Sequence, residues 1–271
     1  MRPLLNVTDL EVRYGRSAPP TLESVSLSIP PGASVGLVGE SGSGKTTLGK
    51  AVLGLVPVSG GTIRIDGEDT THLRGAARRA LAGVVQVVFQ NPYLSFNPRR
   101  TIGQAVAETL PAGTSKTQAR HRVSAMLTRV GVDPDVVGRY PNQFSGGQLQ
   151  RIAIARALVP SPRLLLCDEA VSALDLSVQA HVLNLLADLR AEHGLSYLFI
   201  THDLAVVRHV CDRVVVLRHG RIVEEGRVRD VTEEPRHPYT RALLAAAPVA
   251  DPEAQARRRA QRRANRTTDA A

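Results

Sequence analysis

The chain has 271 residues, 43% of them hydrophobic, which is enough for one large domain or for a domain with a subdomain. No apolar run approaches the roughly 20 residues of a membrane-spanning helix, no signal peptide is evident, and the two cysteines, Cys167 and Cys211, are too few for a disulfide framework, so we expect a cytosolic protein. The formal net charge is +9, but six arginines in the C-terminal RRRAQRRANR account for most of it, and no nucleic-acid partner is expected.

The N-terminal stretch predicts antiparallel strands. Apolar and polar residues alternate over Leu5–Tyr14 and again over Leu22–Ile29, and two prolines and a glycine at 30–32 end the second strand. Tyr14, at the end of the first range, is an aromatic residue that can stack on an adenine ring if it is exposed. Packing in the core or against a strand is the alternative, and a single tyrosine does not decide between the two.

The segment GESGSGKTT matches G-x-x-x-x-G-K-[ST], the pattern of a phosphate-binding loop (P-loop). A short apolar run before it predicts a buried strand, and helical spacing after it predicts a helix. Inward-pointing N–H groups can hold phosphate oxygens, Lys45 can bridge the β- and γ-phosphates, and Thr46 can ligate Mg²⁺. A plain glycine-rich turn is the alternative, but it leaves the Lys-Thr pair without a purpose. We expect nucleotide contacts from Gly39, Glu40, Ser41, Gly42, Ser43, Gly44, Lys45, Thr46 and Thr47.

A strand with an Asp-Gly turn is predicted over 60–69, and a continuous apolar strand over Val84–Phe89 ends at Gln90. A polar amide at the C-terminal end of a parallel strand lies where ligands bind, so Gln90 can reach a metal ion or an attacking water, although a lone glutamine would mean little. The following segment, from Asn91 to Pro160, is interpreted as a mainly helical insertion with helical sequence over Ile102–Val130.

Within this insertion, the segment FSGGQLQRIAIARALVP places two glycines before a helix. Ser145, Gly146 and Gly147 at a helix N-terminus predict a second phosphate-binding loop. A capped helix start explains Ser145 alone, but the paired glycines followed by Gln148 favour the phosphate loop.

Two adjacent carboxylates, Asp168 and Glu169, follow the short apolar run RLLLC. At the end of a buried strand they are costly unless something positive lies nearby. Because neighbouring side chains on a strand point to opposite sides, we expect Asp168 to face Mg²⁺ bound at Thr46 and Glu169 to face a water molecule. Surface charges are the alternative, and the apolar residues before them argue against it.

The segment SYLFITHD repeats the pattern of an apolar strand with a polar end. It follows an amphipathic helix that Asp175 precedes and Gly194 ends. His202 is thereby expected near a γ-phosphate, whereas a lone histidine elsewhere would carry no such meaning. The next segment, RVVVLRHGRIVEEG, predicts a hairpin.

In this order, the segments resemble the nucleotide-binding subunits of ABC transporters over Leu4–Gly226. GESGSGKTT resembles the Walker A motif, Gln90 the Q-loop, FSGGQ the signature, LLLCDE the Walker B motif, SALD the D-loop and THD the switch histidine. Phe144 stands where leucine is usual, and Ala170 and Val171 stand where proline and threonine are common. These departures replace no group that the chemistry needs.

The C-terminal part narrows the resemblance, because EEPRHPYTRALLAAAP is similar to the His-Pro-Tyr segment of the oligopeptide, dipeptide and nickel importer ATPases. Some members carry a cysteine cluster there, and this segment has none, so no iron–sulfur cofactor is expected. The resemblance implies an α/β P-loop NTPase with a RecA-like core sheet, an antiparallel β region and an inserted α-helical subdomain. We expect the ATPase domain over 1–235 with the insertion at about 91–160. The C-terminal segment, 236–271, is expected to end in a disordered Arg-rich tail, for which a lipid-binding patch is the alternative.

The same resemblance implies an ATPase with ATP and Mg²⁺ as cofactors that energises uptake of short peptides. Nickel or another small solute is the alternative cargo, and a soluble ABC ATPase without a transport role is a further alternative. A regulatory module without turnover would typically lack Glu169. Roles carry over as catalytic to Lys45, Gln90, Glu169 and His202, as metal-binding to Thr46, Gln90 and Asp168, and as nucleotide-binding to Tyr14, the P-loop, Ser145, Gly146, Gly147 and Gln148.

The resemblance also implies partners at the cytoplasmic face of the cell membrane. These are two transmembrane permease subunits, an extracytoplasmic solute-binding protein, and a second ABC ATPase subunit, the same or paralogous, that meets this one head to tail. The segment after Gln90 contains Tyr93, Leu94 and Phe96, which are unusual in a loop unless they cover another surface, so we expect them to contact a partner.

Overall fold

A computed structural model describes residues 2–15, 18–172 and 174–246, and its strands form two sheets. One has four strands in the order β2-β1-β4-β5, and the other has six in the order β10-β9-β3-β8-β7-β6. The strands are β1 Leu5–Val12, β2 Leu22–Ile29, β3 Ser34–Val38, β4 Gly60–Ile65, β5 Glu68–Asp69, β6 Val85–Val88, β7 Leu164–Asp168, β8 Ser196–Ile200, β9 Arg213–Arg218 and β10 Arg221–Arg227. The helices are α1 Lys45–Val52, α2 Gly75–Ala80, α3 Ile102–Ala107, α4 Lys116–Arg129, α5 Gly146–Leu158, α6 Leu176–His193, α7 Leu204–Val210, α8 Val228–Glu233 and α9 Pro238–Ala246.

The four-stranded sheet is antiparallel, as the sequence predicts. β1 pairs with β2 so that Leu5 lies opposite Ile29, and on its other side it pairs with β4. The two-residue turn between β4 and β5 has positive φ at both positions, 55° at Asp66 and 88° at Gly67. This is the conformation that an Asp-Gly pair favours in a tight hairpin.

The six-stranded sheet places β3 in its interior, with β8 and β9 as parallel neighbours. β6 pairs with β7 and β7 with β8, also in parallel, while β9 and β10 form the predicted antiparallel hairpin. All five residues of β3 are buried, which explains why its sequence contains only apolar and small residues. Because parallel strands end at one edge of the sheet, the segments that follow β3, β6, β7 and β8 come together there.

Two large apolar cores hold this arrangement. The first lies between the two sheets and includes α1, with Leu48 and Val52 packed against residues of both. The second joins the other face of the six-stranded sheet to α6 and to helices α3, α4 and α5. The helical segment is therefore packed on the same sheet that carries the P-loop.

The helical sequence over Ile102–Val130 forms two helices. α3 ends at Ala107 and α4 begins at Lys116. Pro111 lies between them and has no N–H to donate to the carbonyl of Ala107, so it cannot continue α3. Ser115 then starts α4 with a capping box, in which its hydroxyl accepts from the Gln118 N–H.

After β10 the chain forms α8 and α9, and residues 247–271, which include the Arg-rich tail, lie outside the described residues. The expectation about that tail therefore stays a prediction. None of the described helices combines the length and the apolar character needed to cross a membrane.

Candidate functional site

The P-loop connects β3 to α1 at the carboxyl edge of the six-stranded sheet. Gly44 has φ of 108°, and a Cβ at this position would lie 2.7 Å from Leu22 Cδ2, so only glycine fits. α1 begins at the next residue, Lys45, which directs the N-terminus of the helix at the loop. Ser41 and Gly42 are exposed, so this part of the loop is accessible to a ligand from solvent.

Lys45 lies folded back on the loop. Its Nζ donates to the carbonyl of Gly39 at 2.7 Å and to that of Glu40 at 2.8 Å, and the residue is only 6% exposed. Burial lowers the pKa of Lys45, while the nearby carboxylates of Glu169 and Asp168 raise it. Two neutral carbonyls are weak partners for a buried ammonium group, and phosphate oxygens in the loop are stronger ones.

Thr46 and Asp168 form the oxygen-rich part of the site. The hydroxyl of Thr46 donates to Asp168 Oδ1 at 3.3 Å. Burial raises the pKa of Asp168, and the Glu169 carboxylate raises it further, whereas the Thr46 hydrogen bond lowers it. A hydroxyl and a carboxylate are oxygen ligands of the kind that fit Mg²⁺, which takes few protein ligands when phosphate oxygens complete its shell.

Glu169 does not continue the strand, which corrects the expectation of alternating side chains. β7 ends at Asp168, and Glu169 has φ of 50°, in the left-handed region, while its N–H donates to the Ile200 carbonyl at 2.8 Å. Alternation along a strand therefore does not determine where its carboxylate points. A non-glycine residue in this region is strained, and such strain collects at functional sites.

Gln90 and His202 hold the two oxygens of the Glu169 carboxylate. Gln90 Nε2 donates to Glu169 Oε2 at 2.7 Å, and His202 Nδ1 lies 3.2 Å from Glu169 Oε1. The site that sequence reasoning assembled from three separate strand ends is thus one hydrogen-bonded cluster. The structure places the Gln90 amide nitrogen on Glu169, and it contains no direct contact from Gln90 to Thr46 among the hydrogen bonds of the described residues.

The SGGQ segment begins α5 with a capping box. The Gln148 N–H donates to Ser145 Oγ at 3.3 Å, and the Ser145 N–H donates to Gln148 Oε1 at 3.1 Å. The capped helix start considered for Ser145 is therefore present. Ser145, Gly146 and Gln148 are exposed, and no hydrogen bond joins Ser145 or Gln148 to the P-loop within the described part of the chain.

Tyr14 is not a core residue. It is 59% exposed, and its hydroxyl lies 3.3 Å from Thr47 Oγ1, next to the P-loop. The tyrosine is exposed and its hydroxyl lies beside the start of α1, which is compatible with stacking of the ring on a base.

The loop after Gln90 differs from the expectation at one residue. Tyr93 and Leu94 are exposed, Leu94 to 85%, but Phe96 is only 6% exposed and packs in the core beneath the guanidinium of Arg156, whose Cζ lies 5.2 Å from the ring centroid. Phe96 therefore stabilises the helical segment and is unavailable to a partner, which leaves Tyr93 and Leu94 as the outward-facing apolar side chains here.

Sequence reasoning missed Gln150, which lies one turn into α5. It is buried, and its Nε2 donates to the carbonyl of Ala170 at 2.6 Å and to that of Phe89 at 3.2 Å. These carbonyls directly adjoin Glu169 and Gln90, so one amide ties together the two segments that carry the carboxylate and its partner. A glutamine at helical spacing from the buried Ile154 and Leu158, on the face of α5 that packs in the core, is the signal that could have identified it.

Comparison with known proteins gives two family models that match this chain. A family model described as ABC transporter matches residues 22–172, and one described as Oligopeptide/dipeptide transporter, C-terminal region, matches residues 223–271. The oligopeptide transport ATP-binding protein OppF of Escherichia coli (strain K12) is 46% identical over 264 residues, which cover 92% of this chain and 79% of that protein. A putative peptide import ATP-binding protein of Brucella ovis is 49% identical over 257 residues, 93% of this chain and 81% of that one.

Solved structures agree as well. The structure of cbiO1 from Clostridium perfringens, described as part of an ABC transporter complex, has a TM-score of 0.77 at 27% identity and covers 86% of this chain and 92% of that one. The ATP-binding cassette MJ0796, solved as a dimer in a post-hydrolysis state with ADP and Pi, has a TM-score of 0.76 at 28% identity and covers 83% of this chain and 99% of that one. This chain therefore belongs to the ABC transporter family of P-loop ATPases, in the branch whose members carry the oligopeptide/dipeptide transporter C-terminal region.

Proposed function

We propose that this chain is the ATP-hydrolysing subunit of an ABC importer of short peptides. The observation that carries the proposal is the cluster at the carboxyl edge of the sheet, where Gln90 and His202 hold both oxygens of Glu169 beside a P-loop. A carboxylate held in this way can orient a water molecule and accept its proton. The names of the relatives support the cargo class, because they are oligopeptide and peptide import ATP-binding proteins.

In this proposal the P-loop residues bind the phosphates of ATP. Lys45 exchanges its bonds to the loop carbonyls for bonds to phosphate oxygens, and the N–H groups of residues 39–47 surround the same oxygens. Thr46 and Asp168, with Gln90 as a further candidate, hold Mg²⁺, which neutralises phosphate charge when it is bound. Tyr14 stacks on the adenine ring, and Glu169 orients the attacking water while His202 faces the γ-phosphate.

The second half of the site comes from another ATPase subunit, the same or paralogous. Ser145, Gly146 and Gln148 face outward at the N-terminus of a 13-residue helix, a location that favours an anion. We propose that they contact the γ-phosphate of a nucleotide on the opposing P-loop. The capping box sets the shape of this loop, so that its N–H groups are oriented before the partner arrives.

The chain acts at the cytoplasmic face of the membrane, on two permease subunits that receive cargo from an extracytoplasmic solute-binding protein. Support for docking comes from Tyr93 and Leu94, exposed apolar side chains that follow Gln90 directly. Gln90 is hydrogen-bonded to Glu169, so a change at Glu169 during hydrolysis would move Gln90 and, with it, the loop that carries Tyr93 and Leu94. Nickel or another small solute is the alternative cargo, since no residue of an ATPase subunit touches the solute.

The cargo is tested by growth of a strain that lacks this chain. We expect loss of growth on di- and oligopeptides as the sole amino-acid source, with growth on free amino acids retained. Unimpaired peptide use together with lost activity of nickel enzymes would replace the peptide assignment by nickel. If neither property changes, the transport proposal fails for both cargos, and ATP hydrolysis is then measured on the purified chain as a soluble ATPase.

A further inference from the structure

The C-terminal segment touches the phosphate-binding loop through one side chain, Tyr239. Its hydroxyl accepts a hydrogen bond from the backbone N–H of Glu40 at 2.9 Å. Tyr239 belongs to α9 and is only 6% exposed. Glu40 is the second residue of the P-loop, so a residue 199 positions further along the chain contacts the loop that is expected to hold ATP.

Two sets of contacts hold Tyr239 and the chain just before it. The guanidinium of Arg218, at the end of β9, lies over its ring with Cζ 4.8 Å from the centroid. Glu224 on β10 accepts the N–H groups of Arg236 at 2.8 Å and His237 at 3.0 Å, which fixes the chain just before α9. A buried, anchored phenol can hold a backbone group in one orientation.

The His-Pro-Tyr sequence accounts for the entry into α9. His237 Nδ1 accepts the N–H of Tyr239 at 3.1 Å, as a capping side chain does at a helix start. Pro238 is the first residue of the helix, where its lack of an N–H costs nothing. Histidine and proline thus build the start of the helix, and tyrosine reaches the P-loop from it.

The contact acts on a single peptide group. The N–H of Glu40 and the carbonyl of Gly39 belong to the same planar trans peptide and point in opposite directions. The N–H side is held by Tyr239, and the carbonyl side accepts Lys45 Nζ at 2.7 Å. Rotation of this peptide would turn away the carbonyl on which Lys45 rests, so the orientation of the peptide sets the starting position of the ammonium group.

We propose that Tyr239 is a positioning residue for nucleotide binding, which makes the His-Pro-Tyr segment part of the phosphate site. By holding the Gly39–Glu40 peptide, it keeps the P-loop in the form from which Lys45 reaches the phosphates. This inference rests on the proposed binding of ATP at the P-loop, and it assigns a role in that binding to Tyr239, a residue outside the loop.

The test is Tyr239→Phe, which removes the hydroxyl and keeps the ring under Arg218. We expect the Kd for ATP to rise roughly three- to ten-fold, the effect of one neutral hydrogen bond. KM for ATP should rise by the same factor with kcat little changed. The hydrogen bond from Glu40 to Tyr239 is expected to help the ATP-bound ground state and the transition state equally. The matched control is Tyr197→Phe, since Tyr197 is also buried and its hydroxyl donates to the Leu186 carbonyl at 2.7 Å, on α6 and away from the P-loop.

Urea unfolding of both variants separates stability from binding. We expect both to lose stability and only Tyr239→Phe to lose ATP affinity. An unchanged Kd in Tyr239→Phe, an equal loss of affinity in Tyr197→Phe, or a fall in kcat at constant KM would each overturn the inference. If the wild-type chain itself does not bind ATP in the same titration, the proposed function fails, and that outcome is distinct from failure of the inference alone.

Discussion

At the scale of single residues, the chemistry of the site depends on how each charged group is held. Glu169 is restrained through both oxygens, Asp168 accepts a hydrogen bond from the Thr46 hydroxyl, and Lys45 donates to loop carbonyls. These three groups lie close enough for both carboxylates to raise the pKa of Lys45 against the effect of its burial. We therefore expect substitutions at these three residues to affect different properties of the protein.

Glu169→Gln should separate binding from turnover. The amide keeps the size of the side chain and the phosphate cradle stays intact, but the group can no longer accept a proton from water. We expect ATP to bind with near wild-type Kd and hydrolysis to slow by roughly 10² to 10⁴ fold, the range for loss of a general base. Equilibrium titration and phosphate release measure the two quantities, and wild-type turnover would remove Glu169 from its proposed role.

Asp168→Asn should stabilise the nucleotide-free chain at neutral pH. Because burial raises the folded-state pKa of Asp168, the carboxyl contributes stability below its ordinary pKa of about 3.9, and that contribution is lost as pH rises through the raised value. The Tm of the variant should therefore exceed that of wild type at pH 7, with the difference shrinking as pH falls toward 4.

The same variant should lose most of the additional stability that Mg²⁺ and ATP give the wild type, since a proposed ligand of Mg²⁺ is gone. Thermal scans from pH 4 to 8, with and without Mg²⁺ and ATP, measure both effects. A lower Tm of the nucleotide-free variant at pH 7 would show that the Thr46 hydrogen bond outweighs the cost of burying the carboxylate.

At the scale of elements, the sequence predicted the strand ends that carry the site, because each strand appears as an apolar run followed by polar residues. The ends of β3, β6, β7 and β8 could be located because four buried parallel strands read as short apolar segments. The left-handed φ at Glu169 could not be predicted, since it depends on the bond from its N–H to Ile200 on a neighbouring strand. Burial of Phe96 was missed for the same reason, because Arg156 lies 60 residues further along the chain and covers its ring only after folding.

Gln150→Met tests the link between α5 and the two strand ends. Methionine has a similar volume, but the carbonyls of Phe89 and Ala170 lose their shared donor, which should cost roughly 1 to 3 kcal/mol of unfolding free energy. Turnover should fall further than ATP affinity, because Gln90 and Glu169 adjoin these carbonyls and the P-loop does not. Urea unfolding and steady-state ATP hydrolysis provide the readouts, and a stable variant with wild-type kcat would contradict the link.

At the scale of the whole molecule, one chain holds the P-loop, the carboxylate that we propose as the general base, and an exposed loop that resembles the family signature. The signature loop is held by its own helix, and within the described residues Ser145 and Gln148 bond to each other. No sequence pattern states which site a loop serves, so the assignment of this loop to an opposing subunit came from the family resemblance. One similar solved structure, an ATP-binding cassette with ADP and Pi, is itself a dimer.

Ser145→Arg should leave ATP binding to the single chain nearly unchanged and abolish hydrolysis, because the bulky cation blocks closure on a partner's nucleotide. Ser145→Thr is the matched control, since its hydroxyl can still cap α5 and hydrolysis should persist. Lys45→Ala, in contrast, should weaken ATP binding itself, as a charged contact to the phosphates is lost. The two defects therefore lie on opposite sides of a shared site.

Mixing the two inactive variants distinguishes a shared site from a site within one chain. In a mixed pair, the intact P-loop of the Ser145→Arg chain faces the intact signature of the Lys45→Ala chain, which restores one site of two. With random pairing of equal amounts in a homodimer, about one quarter of wild-type activity should return. Recovery well above that level would contradict the shared geometry. If the wild-type chain hydrolyses ATP as a homodimer and the mixture recovers no activity, the P-loop and the signature loop of one chain serve the same nucleotide.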